Sequence, residues 1–167
     1  MSIVEAMASV VRPDEGAEIP NVGMRHKVDP EPFGGALGIV EGTINPGTLI
    51  PPHTHSREDE CFYVLEGSLT FDHDGVTAQS DAGTYVIRPR GIPHAFWNGG
   101  TTVARVMVIH TPGTFVRMYD ELGALTGRTD LDPEARRREE FELVERWGLT
   151  FHWERIAEIA ERHGVRP

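Results

Sequence analysis

The chain has 167 residues, with 26 acidic against 16 basic side chains, so its formal net charge at pH 7 is -10. This length suits one domain with a sizeable core, and the acidic balance argues against nucleic acid or an anionic membrane surface as a partner. The single cysteine excludes an internal disulfide, and the sequence has neither an apolar run long enough to span a membrane nor the basic start of a signal peptide. We therefore expect a cytoplasmic protein.

The first part of the chain combines loop signals with short strands. Residues 1–11 are moderately apolar, and we expect an edge strand or an arm that reaches a partner subunit. Residues 12–23 are rich in Pro, Gly and acidic side chains, which is typical of a loop. Strands are predicted at residues 24–28 and 37–44, and the turn signal Asn45-Pro46-Gly47 ends the second of them.

The middle of the chain predicts a series of short strands. Runs of strand-forming residues are separated by close turns that contain Gly or Asp. These strands are expected near residues 60–65, 68–72, 76–79, 84–88, 94–97 and 102–110. Many short strands with no helix among them favour an antiparallel sandwich or barrel.

Three histidines and one glutamate predict a metal site. His53 and His55 follow two prolines, which exclude a helix interior, and in an extended chain they project from the same face. Glu60 opens an apolar strand, where a carboxylate is costly to bury unless it is paired or bound to a cation. His94 follows a later turn. Imidazole and carboxylate groups together predict a site for a divalent transition metal.

The last part of the chain has a helical pattern. Thr111-Pro112 is expected to start a helix that ends near Gly123. Asp132-Pro133 is a second start signal for a helix through Trp147, and a third helix is expected over residues 151–163. Apolar side chains at helical spacing usually pack against a neighbour. We therefore expect these helices to cover the outside of the β-domain or to form a dimer contact.

Ten positions of the sequence resemble, at every spacing, the two motifs of the cupin family. The positions are Gly47, His53, His55, Glu60 and Gly67 for the first motif, and Gly83, Pro89, Gly91, His94 and Asn98 for the second. The resemblance covers about residues 35–111. It implies an all-β fold, an antiparallel jelly-roll barrel, with additional C-terminal α-helices. Residues 1–111 would form the cupin barrel with its N-terminal arm, and residues 112–167 a helical extension packed on the barrel in the same domain.

The same resemblance implies that the metal ligands are His53, His55, Glu60 and His94, and that the protein is a homodimer. Mixed nitrogen and oxygen ligation suits Fe²⁺, Mn²⁺, Ni²⁺, Co²⁺, Cu²⁺ or Zn²⁺, of which we expect Fe²⁺ first. Such a centre keeps a positive charge and favours an anionic oxygen of a small-molecule substrate. Apolar candidates for the substrate pocket, each of which can equally be a packing residue, are Phe62, Phe96, Ile39, Met107 and Ile109.

The run from His110 to Gly123 resembles the segment after the barrel in bacterial quercetin-dioxygenase-like cupins. This resemblance implies an O₂-dependent dioxygenase that oxidises an enol or phenol, in which Glu60 is the catalytic residue and both binds the metal and accepts the substrate's hydroxyl proton. Two alternatives remain open: an isomerase or cyclase of a natural-product pathway that works without oxygen, and a non-catalytic module that binds a small molecule. No helix-turn-helix or basic stripe supports a sensor of the DNA-binding kind.

Some other residues have simpler interpretations. His26 and His110 are expected to be surface histidines or to support the metal site from behind the ligands, and His73 to be solvated in a turn. Cys61 follows Glu60, so alternation predicts that it lies on the opposite face and packs between the sheets.

Overall fold

The computed structural model describes residues 10–167, and the strands of this part of the chain form two antiparallel sheets. The strands are β1 Ala17–Ile19, β2 Met24–Val28, β3 Gly38–Ile44, β4 Leu49–His55, β5 Asp59–Glu66, β6 Ser68–His73, β7 Val76–Asp81, β8 Tyr85–Arg88, β9 His94–Trp97, β10 Ala104–Thr111 and β11 Leu149–Phe151. One sheet has the order β1-β2-β3-β10-β5-β8, and the other has the order β11-β4-β9-β6-β7. Consecutive strands repeatedly change sheet, as in a double-sheet jelly roll.

The main core lies between the two sheets. Every second residue of β10 is buried, from Ala104 to His110, because successive side chains of a strand point to opposite faces. Buried side chains of both sheets meet in one cluster, which includes Val40, Phe62, Val64, Val106 and Val108 from one sheet and Leu69, Phe71 and Phe96 from the other. The hydrophobic effect on these facing sides holds the sheets together.

The predicted antiparallel β-fold with C-terminal helices is confirmed, but a closed barrel is not. Among residues 10–167 the strand pairs join into two separate sheets, which end at β1 and β8 and at β11 and β7. No ladder of hydrogen bonds in this range connects one sheet to the other. The fold is therefore a pair of facing sheets with free edges.

The helices follow the β-domain in the chain. They are α1 Arg117–Thr126, α2 Pro133–Arg146 and α3 Trp153–His163. The Asp132 carboxylate caps α2 by accepting hydrogen bonds of 2.9 Å from the backbone N–H groups of Glu134 and Ala135, as its sequence signal predicted. The first helix differs from its prediction, since a 3₁₀ turn over Gly113–Val116 precedes it and it continues past Gly123. None of the helices in the described residues is long and apolar enough to cross a bilayer.

Two short strands were not predicted. β1 lies inside the segment that we expected to be a loop, and β11 occupies the residues just before the third helix, which begins at Trp153. Each has three residues, which is too few for an alternating pattern to be recognised. β11 exists because β4 offers a free edge for pairing. The predicted N-terminal arm falls on residues 1–11, and residues 1–9 lie outside the described part of the chain.

The structure places Cys61 on the outer face of the six-stranded sheet. Cys61 is half-buried there, between Ile109 and Ile87 in the strand register. The prediction that Cys61 packs between the sheets was wrong, because its neighbours Glu60 and Phe62 are the buried residues of β5. The alternation itself was predicted, and it directs Cys61 away from the core.

Candidate metal centre

Four potential ligands from both sheets come together in the core. His53 and His55 lie on β4, His94 lies opposite His53 on the adjacent β9, and Glu60 comes from β5 in the facing sheet. All four side chains are buried, and one ligand atom of each lies within 4.8 Å of those of the others. The structure thus brings together four residues that span 42 positions of the chain, and this group can hold a metal ion.

Backbone carbonyls fix the orientation of two imidazoles. His53 Nδ1 lies 2.7 Å from the carbonyl oxygen of Pro51, and His94 Nδ1 lies 3.0 Å from that of Ile92. Because a carbonyl oxygen only accepts, each Nδ1 carries the proton and donates it. In the neutral form of each ring, the Nε2 atom is then unprotonated and available as a ligand.

Several polar atoms of the cluster are buried without a hydrogen-bond partner among the described residues. These atoms are both ring nitrogens of His55, Nε2 of His94 and Oε2 of Glu60. A buried polar atom left without a partner costs about 1–3 kcal/mol. A divalent cation at the centre of the cluster would satisfy the Nε2 and carboxylate atoms together, so the donor set fits a metal ion.

The electrostatics of the cluster also favour a metal. Burial opposes the ionisation of Glu60, but facing imidazoles hold its pKa below the usual range of a carboxyl group. Its oxygens lie 3.4 Å from Nε2 of His55, Nε2 of His94 and Nδ1 of His110. Burial lowers the pKa of His53 to about 3, so this imidazole is neutral at pH 7. The site therefore offers a carboxylate and a neutral imidazole without prior loss of protons.

Two supporting residues extend the site beyond the predicted ligands. Glu58 is buried, and its Oε2 lies 3.5 Å from Nδ1 of His55, the ring nitrogen on the far side from Glu60. His110 is fully buried behind Glu60. His110 is thus one of the supporting histidines that the sequence allowed, while Glu58 was missed. The available signal was its position two residues before Glu60, which an extended chain places on the same face.

A cavity of about 370 Å³ opens beside the cluster. His53, His55 and Glu60 form its polar end, and most of the remaining lining is apolar. Phe62 and Phe96, two of the predicted pocket residues, are part of this lining. The residues contributed by the β-sheets and their turns also include Val22, Met24, Gly42, Thr43, Ile44, Ile50, Pro51, Val106 and Val108.

Three other predicted pocket residues are not in the cavity. Ile39 on β3 and Met107 and Ile109 on β10 lie on the outer face of their sheet, where Ile109 pairs with Ile39. The prediction of these three residues was wrong, because it did not assign the inward face of either strand. On β10 that face carries Val106, Val108 and His110 instead.

The C-terminal segment forms one wall of the cavity. Its contributions are Phe115, Met118, Tyr119, Leu122, Val144, Leu149 and Phe151. β11 places Leu149 opposite His55 and Phe151 opposite His53, and the rings of Phe151 and His53 lie 5.8 Å apart. The interpretation of this region as an external cover was therefore incomplete, because part of it reaches the interior beside the metal ligands.

The metal-free protein is expected to lose stability as the pH falls from 6.5 towards 4. Burial lowers the pKa of His53 to about 3 and that of His110 to about 4, whereas a histidine of an unfolded chain titrates near 6.5. Below that pH the unfolded state binds more protons, so each histidine removes up to about 1.4 kcal/mol of stability per pH unit. Above pH 6.5 both histidines are neutral in the folded and the unfolded state, so the stability that depends on them is fully present.

Urea unfolding of chelator-treated protein at pH 7.5, 6 and 5 measures this loss. The variant His163→Gln changes an exposed histidine and should keep the same pH dependence. Equal unfolding free energies at pH 7.5 and 5 would contradict the buried, neutral state of these imidazoles.

Comparison with known proteins gives a consistent family. Residues 40–110 match the family model described as Cupin domain. Germin-like protein 5-1 of Oryza sativa subsp. japonica is 38% identical over 78 residues, which cover 42% of this chain and 35% of the relative. Protein SchB of Streptomyces halstedii is 31% identical over 97 residues, covering 58% of this chain and 60% of that protein. The chain thus spans about a third of the germin-like relative's length.

A solved structure gives the same indication for the fold. The crystal structure of a predicted oxalate decarboxylase from Thermotoga maritima aligns with a TM-score of 0.55 and 25% sequence identity. The alignment covers 61% of this chain and 97% of that protein. The shared part therefore corresponds to nearly the whole of the smaller protein, and the remainder of this chain is additional.

Proposed function

Because the chain belongs to the cupin superfamily, we propose that it is a metal-dependent enzyme that uses O₂ to oxidise an enol or phenol. The observation that carries this proposal is the position of the buried ligand cluster at the end of an apolar cavity. The ligands would be His53, His55, Glu60 and His94. Fe²⁺ is our first expectation for the ion, and Mn²⁺, Ni²⁺, Co²⁺, Cu²⁺ and Zn²⁺ suit the same donors.

The polarity of the cavity supports an apolar substrate with one group that binds the metal. Its lining among the described residues contains no Lys or Arg, and beyond the cluster its side-chain hydroxyls are those of Thr43 and Tyr119. A phosphate or a second carboxylate would have no cation to pair with there, and burying such a charge unpaired is costly. A ring system with an acidic enol or phenol oxygen matches both ends of the cavity.

The chain's own residues have distinct roles in this proposal. The ion, when bound, would supply Lewis-acid chemistry, and a redox-active ion such as Fe²⁺ would also supply electron transfer. Phe62, Phe96 and Phe151 exclude water and hold the apolar part of the substrate. The Glu60 carboxylate, whose Oε2 lacks a hydrogen-bond donor among the described residues, is the group we assign both to bind the ion and to accept the substrate's hydroxyl proton.

Oxygen uptake by the metal-loaded protein tests the proposal. Purified protein loaded with each candidate ion would be supplied with a panel of flavonols and other enols while an electrode follows O₂. We expect uptake that depends on the metal and that falls by about 10²–10⁴-fold in Glu60→Gln, the usual contribution of a general base. The matched control Glu66→Gln changes an exposed carboxylate on the same strand and should leave uptake unchanged.

The same experiment separates the alternatives. Turnover that continues under strict anaerobiosis would replace the dioxygenase with an isomerase or cyclase that uses the same metal. Saturable ligand binding with no product in mass spectrometry would indicate a binding module. No uptake and no binding across the panel would remove the enol and phenol class altogether.

A further inference from the structure

His110 is a buried ionisable residue to which the proposed reaction assigns no role. It lies on β10 directly opposite Glu60 of β5 and is fully buried. Its Nδ1 lies 3.4 Å from Glu60 Oε1 and forms no hydrogen bond among the described residues, so this carboxylate oxygen is the polar atom that it faces. On the other side of the ring, Nε2 lies 3.2 Å from the hydroxyl oxygen of Tyr119. His110 therefore bridges a metal ligand and a residue of the cavity wall.

The donor and acceptor roles of Glu60, His110 and Tyr119 follow from the chemistry of their side chains. A carboxylate only accepts hydrogen bonds, so the ring nitrogen that faces Glu60 is expected to carry the proton of a neutral His110. Nε2 then has a free lone pair, which accepts a hydrogen bond from the Tyr119 hydroxyl. Burial, reinforced by the charge of Glu60, raises the pKa of Tyr119 well above 10, so the hydroxyl keeps its proton.

Packing holds the two rings in place. The Phe115 ring lies 4.8 Å from that of His110 and 5.9 Å from that of Tyr119, measured between centroids. Phe115 is itself 1% exposed. His110 thus has little freedom to rotate away from Glu60, and loss of the Tyr119 hydroxyl would remove its remaining polar restraint.

We propose that Tyr119 and His110 form a positioning pair that orients Glu60, with His110 engaging Oε1 so that Oε2 is directed to the cation. The proposal rests on the metal-binding part of the proposed function and is independent of the substrate and of O₂. Neither member of the pair is a ligand: the four-residue cluster is His53, His55, Glu60 and His94. Supporting groups of this kind typically change metal affinity by about 10–100-fold.

Cobalt(II) titration of the chelator-treated protein tests the pair without any substrate. Co²⁺ reports affinity and, through its visible absorption, the geometry of its ligands. We expect Tyr119→Phe and His110→Asn each to weaken Co²⁺ binding by about 10-fold or more and to change the absorption spectrum. The control Tyr63→Phe removes a hydroxyl on the opposite face of β5 and should change neither.

Combined variants distinguish positioning from a general loss of structure. Once His110→Asn is present, adding Tyr119→Phe should weaken Co²⁺ binding no further, because Tyr119 acts on Glu60 only through His110. In a Glu60→Gln background, Tyr119→Phe should also have no effect on Co²⁺ affinity. Thermal unfolding of each metal-free variant measures whether the fold is kept, and His110→Asn serves if Tyr119→Phe does not fold.

The outcomes separate this proposal from the proposed function. If the unchanged protein binds Co²⁺ but both single variants bind it with the same affinity and spectrum, the positioning pair is overturned and the metal centre stands. An effect of Tyr119→Phe that persists in the Glu60→Gln background also overturns the pair. If the unchanged protein binds no Co²⁺, the metal centre fails and the pair fails with it.

Discussion

Replacing His94 by Ala is expected to lower metal affinity by more than about 100-fold, since loss of a supporting group alone costs about 10–100-fold. His94 supplies an Nε2 atom that is already oriented by the Ile92 carbonyl and has no partner of its own. Its loss leaves Glu60 facing one imidazole fewer. Metal content after dialysis, together with Co²⁺ titration, measures the change, and metal-dependent O₂ uptake should fall in parallel.

His163→Ala is the matched control for this substitution. His163 is an exposed histidine at the end of α3, outside the ligand cluster. We expect its variant to bind metal as the unchanged protein does. Retention of full metal affinity by His94→Ala would mean that these four side chains are not the ligand set.

Replacing Phe115 by Ala is expected to destabilise the metal-free protein by about 3–5 kcal/mol, the usual cost of truncating a buried phenylalanine. Phe115 is 1% exposed and packs with Leu143, Val144 and Leu149 in a hydrophobic cluster of the C-terminal segment, separate from the core between the sheets. Its ring also lies 4.8 Å from that of His55. The substitution should therefore weaken metal binding as well, because a ligand ring would gain space to move.

Urea unfolding of chelator-treated protein measures the stability change at Phe115. Phe33→Ala makes the same truncation at a side chain that is 52% exposed, and its unfolding free energy should change by less than about 0.5 kcal/mol. Equal midpoints for the two variants would show that the cavity wall contributes little to folding.

Sequence patterns predicted the elements in which the signal is local. The turn Asn45-Pro46-Gly47, the alternation along β5 and the capping residue Asp132 each act within a few residues, and the structure contains the element that each one indicates. The motif spacing also selected the residues that meet in the cluster. Their role as metal ligands stays a prediction.

Features that depend on strand register could not be predicted from the sequence. Whether Met107 or Val106 faces the cavity depends on one residue of register, and an error of one residue exchanges the two faces of a strand. Tyr119 could not be placed beside His110 either, because its position depends on how α1 packs after the 3₁₀ turn. Predicting β11 would have required knowing that the edge of β4 is free to pair with another strand.

The division of the cavity between two parts of the chain has a consequence for how its selectivity can change. The candidate ligands belong to β4, β5 and β9, whereas an entire wall belongs to residues 113–151. Mutations in the wall can alter the volume and shape offered to a substrate while the ligands keep their sheet positions. This separation makes the C-terminal segment a natural target for library-based engineering, in which new substrates are sought with the reactive centre left intact.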